Sequence, residues 1–161
     1  MPVIKKRLGL SVLMLALTSA ACCIILLNGK TPAQTLVIKD AVSGKMKGRW
    51  VLNDGDEFAI EFIHSVNQSP VRETFKAEGG RIRAVSVRFH SFGAGMQSSL
   101  EEGQTMSRDG DAMIINGLNR SFAELNYIVG TVSDHVLIIN AKTISLTALC
   151  GKNAHITLRI R

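Results

Sequence analysis

The chain has 161 residues, 46% hydrophobic and 20% charged, enough for one domain with a real core plus an extra element. Of its 19 Lys and Arg, three (Lys5, Lys6, Arg7) precede an apolar run, leaving 16 against 13 acids beyond it, a net of +3 rather than +6. So mild a charge, with no basic patch carrying interleaved aromatics, argues against a nucleic-acid partner, and one cysteine beyond the run (Cys150) excludes an internal disulfide framework.

The apolar run is Leu8 to Leu27, uncharged and about as long as a bilayer crossing, ~20 residues. With cations before it, it is expected to be an uncleaved inner-membrane anchor, single-pass, with everything after Asn28 in the periplasm. A signal peptide cleaved near Thr18-Ser19-Ala20-Ala21, releasing a secreted or periplasmic protein, is the alternative. Residues 1–28 form this segment, 29–34 a linker and 35–161 a single exported domain.

That domain reads as all-β. Thr35–Lys39 and Lys45–Leu52 read as strands bounded by turn signals at Ser43-Gly44 and Asn53-Asp54-Gly55. Phe58–His64 and Val71–Ala77 form the central hairpin, closed at its far end by Gly79-Gly80. Arg81–Phe89 follows, with Val85, Val87 and Phe89 on one face and Ser86, Arg88 and His90 on the other. Ser91–Gly110 breaks the pattern, and its Ser98–Gly103 part is long enough for a flap. Later strands are expected at Ala112–Asn116, Ala123–Val129, His135–Ile139, Thr143–Leu149 and His155–Ile160. About 9–10 short antiparallel strands predict a sandwich or a partly open barrel.

The hairpin carries the candidate site. Setting Ser65 against Pro70 places Phe62 opposite Glu73, Ile60 opposite Phe75 and Phe58 opposite Ala77. Two polar residues, His64 and Glu73, then fall diagonally on the apolar face, close enough to pair. Around them the turn supplies Ser65, Asn67, Ser69 and Pro70, with His90 expected nearby. Phe92, Gly93, Ala94 and Gly95 form a small-residue loop whose backbone N–H groups suit close approach to a ligand. No nucleophile elbow is present, and adjacent Ser65 and His64 point to opposite faces of a strand, so an enzyme is not expected. The four histidines (64, 90, 135, 155) show no ligand spacing, and no metal or cofactor is expected. The domain is read as a binding or accessory module using this edge, with a small-molecule-binding domain as the alternative and a hydrolase less favoured.

FAIEFIHSVNQSPVRETF, HSFGAGM at His90–Met96, DGDAMII and VSDHVLIIN together resemble the domain of unknown function 1850 family, small exported bacterial proteins. The resemblance implies no activity. It implies a context, since such proteins are often encoded beside permeases of tripartite ATP-independent periplasmic (TRAP) transporters of the TAXI type. The expected partners are therefore the membrane and a TRAP permease or its solute-binding protein.

Overall fold

The structure, a computed structural model, describes residues 33–92 and 95–161, which lie in one compact unit, Pro32–Arg161. The Leu8–Leu27 run and its expected helix lie outside the described residues, as do Gly93 and Ala94. Among the described residues no helix is long and apolar enough to cross a membrane.

The described chain is nearly all β. In order, the strands are β1 (Gln34–Asp40), β2 (Met46–Leu52), β3 (Glu57–Ile63), β4 (Pro70–Glu78), β5 (Arg81–Phe89), β6 (Thr105–Asp109) and β7 (Ala112–Asn116). They continue with β8 (Ser121–Phe122), β9 (Leu125–Ile128), β10 (Val136–Ile139), β11 (Lys142–Ser145) and, after a short helix α1 (Leu146–Cys150), β12 (His155–Ile160). One antiparallel sheet runs β2-β1-β12-β9. The other runs β11-β10-β3-β4-β5-β7-β6, with β8 also paired to β5, and neither closes into a barrel.

Alternation explains the architecture. Leu36 and Ile38 of β1 and Ile156 and Leu158 of β12 bury their side chains in the same core as Phe58, Ile60, Phe75, Ile82, Leu137 and Ile139 of the larger sheet. A second, smaller core gathers Val71, Phe89, Met113 and Ile115. Phe62 and Leu118 pack against both. Between the two cores the apolar rhythm of β4 is interrupted by Glu73.

Several expectations need correction. The hairpin register is displaced by two residues: Phe62 lies opposite Val71, Ile60 opposite Glu73 and Phe58 opposite Phe75. A two-residue displacement preserves the faces, because side chains repeat every second residue. Its cause is the longer turn. The ladder ends at Ile63 and Pro70, and His64–Ser69 form a six-residue connection with Gln68 in the left-handed region at φ 48°. On β5 the faces expected at one end fail, since Thr74 pairs with Ser86 but Phe75 with Ala84. Val85 is the extra residue of a bulge, so Ile82 and Ala84 share the inward face with Val87 and Phe89.

The expected strand Thr143–Leu149 stops at Ser145, whose hydroxyl accepts the Ala148 N–H at 2.9 Å and caps α1. Two strands escaped the expected 9–10. β6 is exposed along its whole length and shows no alternation, while β8 is only two residues long.

Candidate functional site

Where the two cores meet, the sheets leave an open cleft of about 580 Å³. Its location follows from the bulge. β5 pairs with β7 through Ser86–Phe89 but with β8 through Ile82 and Arg83, so its neighbour changes at Val85. The Val85 carbonyl accepts the Gly117 and Leu118 N–H groups, and Ala84 N–H donates to the Arg120 carbonyl. This turns Leu118, Arg120 and Phe122 into one wall. The opposite walls come from Phe62, Val71 and Phe75 of the hairpin and from Leu125, Asn126 and Tyr127 of β9.

Glu73 lies on the inward face of β4. The Tyr127 hydroxyl donates to its Oε2 at 2.5 Å, a bond that joins the larger sheet to the smaller one. No second hydrogen-bond partner for the carboxylate occurs among the described residues, and its other oxygen is not sealed off from the cleft. Burial pushes the Glu73 carboxyl above its ordinary range, opposed in part by the tyrosine's hydrogen bond. Burial, and then the adjacent Glu73 charge, raise the Tyr127 hydroxyl, which stays a donor. Next to them His135 stacks on Phe62 at 5.0 Å and accepts the Gly130 N–H on Nδ1 at 3.0 Å. Burial lowers its pKa, opposed by Asp134.

The expected His64–Glu73 pair does not form. His64 Nδ1 instead accepts the N–H groups of Val66 (3.3 Å) and Asn67 (3.2 Å), capping its own turn as an Asx side chain would. The register explains this: with Ile60 opposite Glu73, the histidine lies beyond the carboxylate's diagonal neighbours. Both side chains nevertheless line the same cleft, and Gly95 joins them at its edge.

The other expected residues gather at the hairpin tip, outside the cleft lining. Ser65, Pro70 and Phe92 are exposed, and Ser69 is half-buried. Asn67 donates to the Ser91 carbonyl at 3.3 Å, and His90 lies 3.3 Å from the Pro70 carbonyl and 3.5 Å from Asp111. Phe92 packs edge-on against Phe89. The arginines of β5 are engaged, Arg83 with Glu78 and Arg88 with Asp109. No three His, Cys, Asp or Glu side chains converge as metal ligands among the described residues.

Tyr127 and Arg120 were missed from the sequence. A signal for the first existed: Leu125, Tyr127 and Val129 alternate on one face, and Tyr127 is the chain's single tyrosine. It was the natural donor for an inward-facing glutamate. Arg120 sits in a connection and offered no pattern. It pairs with Glu101 at the mouth of the cleft.

The family profile described as Domain of unknown function (DUF1850) matches residues 58–146, more than half of the chain. The chain belongs to this family. The matched span runs from the start of the hairpin to the cap of α1 and contains every residue lining the cleft. No curated protein and no solved structure matches the chain. The DUF1850 description carries no activity.

Proposed function

We propose that this DUF1850 domain is an exported small-molecule-binding module, held at the inner membrane by Leu8–Leu27, that takes its ligand in the cleft between the two sheets. What carries the reading is a concave, mostly apolar space of about 580 Å³ with a few inward polar groups, Glu73 and Tyr127 foremost. That is the usual composition of a ligand site. Among the described residues no nucleophile and base face each other there, which favours binding over catalysis. The test is a thermal-shift and native mass-spectrometry screen of small molecules on the full-length protein, repeated with Val87→Trp, which fills the cleft from the inward face of β5 opposite Glu73. Ligands that stabilise the native chain and not the variant support the reading. Equal responses in both sink it.

A second reading rests on a different observation. The hairpin tip and the neighbouring Phe92 carry exposed apolar side chains: Ile63 at 38%, Val66 at 70% and Phe92 at 45%. Such tips suit a protein partner. In this reading the module serves a TRAP-type uptake system and touches its permease or solute-binding protein through the His64–Pro70 turn and the Phe92–Met96 loop. Photo-crosslinkers at Val66 and Phe92 in membranes should capture a transporter component, and capture of none removes this reading.

A further inference from the structure

We infer that the ligand of the cleft is a protonated amine carried on an apolar body, with Glu73 as its counter-ion. The inference rests on the cleft being a ligand site and adds the ligand's chemistry. Charge comes first. Among the described residues Arg120 is the only Lys or Arg lining the cleft, its side chain is 61% exposed, and Glu101 already holds it at the mouth. The remaining titratable neighbours give Glu73 no cation. Tyr127 on β9 is a neutral donor, His64 has Nδ1 committed to its turn, and His135 before β10 has Nδ1 committed to Gly130. Burial disfavours a proton on that imidazole.

Glu73 thus keeps one oxygen facing the cleft with a single hydrogen bond on the other, in surroundings that penalise bare charge. An ammonium group supplies what is missing, both a counter-charge and N–H donors for the free oxygen. An anionic ligand would meet the carboxylate in a low-dielectric space and be repelled. A neutral hydroxyl could donate a hydrogen bond but would leave the charge uncompensated. The walls set the rest of the ligand. Phe62, Phe75 and Tyr127 offer aromatic rings to a cation, and Val71, Val87 and Met96 offer apolar surface. A cleft of about 580 Å³ holds far more than an ammonium group, so the amine should carry an alkyl or aryl body of several carbons.

Three probes with the same phenylethyl body test this by calorimetry on the full-length protein: 2-phenylethylamine, 2-phenylethanol and 3-phenylpropanoate. The amine should bind more tightly than the alcohol by about tenfold or more, and the carboxylate should not bind. Glu73→Gln preserves size and an acceptor for Tyr127, and it should lose that advantage while keeping its melting transition. Alcohol or carboxylate binding as tightly as the amine overturns the inference and leaves the cleft reading standing. Undiminished amine binding by Glu73→Gln does the same. Failure of all three probes at millimolar concentration overturns the inference. If Val87→Trp also responds like the native chain to every compound screened, the cleft reading falls with it.

Discussion

Glu73 stands where β4 would otherwise bury an apolar side chain between Val71 and Phe75. Its stability consequences follow from linkage. The folded state binds the Glu73 proton more tightly than the unfolded chain, whose carboxyl sits near the ordinary value of 4.5. The group's stabilisation is thus fully present below that pH and is lost as pH rises toward the raised, folded pKa. Glu73→Gln should flatten this loss, measured as the difference in urea midpoint between pH 4.5 and pH 8. His135 has the opposite sign. Its folded pKa is depressed, so stability is present above the ordinary 6.5 and falls as pH drops below it. Tyr127→Phe leaves the buried carboxylate without its donor and should destabilise by about 1–3 kcal/mol in chemical unfolding. Glu73→Leu removes both the charge and the need for a donor. It should be neutral or stabilising, and it should abolish ligand binding.

At the level of elements, the hairpin turn, the bulge and the 95–104 loop shape the site. His64 holds the turn through a ring nitrogen, so His64→Asn, whose side-chain oxygen can accept the same N–H groups, should retain stability. His64→Ala should lose about 0.5–1.5 kcal/mol by thermal or urea unfolding. Equal losses in both variants would show that the ring's packing rather than its acceptor matters. Gly117 fixes the other wall. Its φ is +75°, and a Cβ there would lie 2.6 Å from the Gly103 carbonyl oxygen. Gly117→Ala should cost about 1–3 kcal/mol and displace Leu118 and Arg120. The loop is pinned by buried Gln104, whose carbonyl oxygen accepts the Glu101 N–H at 2.9 Å and the Gln97 amide at 2.5 Å. Just before the Ser98–Gly103 stretch, Met96 and Gln97 contribute to the cleft wall.

For the whole molecule, the cleft exists because two cores meet without merging. β4 and β5 serve both, and Glu73 lies at the junction, opposite the half-buried Val87. An apolar replacement of Glu73, with a larger apolar side chain at Val87, should let the cores join. The prediction for Glu73→Leu combined with Val87→Leu is a higher melting temperature together with lost binding, the trade expected where a functional cavity is maintained against packing.

Strand identity was legible in the sequence wherever one face is buried. Arg81–Phe89, Ala112–Asn116 and His155–Ile160 emerge with the expected limits, because alternation over a half-buried surface is a local signal. Family membership was legible in the same way, in contiguous motifs. Partnership was not. That His64 and Glu73 belong on an inward face follows from period two, but Glu73's partner lies 54 residues away on the other sheet. A sequence marks a buried carboxylate as needing a donor without saying which of several distant strands brings one. Only the packing of two sheets, with a bulge shifting one strand's phase, placed Tyr127 against Glu73 and opened the cleft around them.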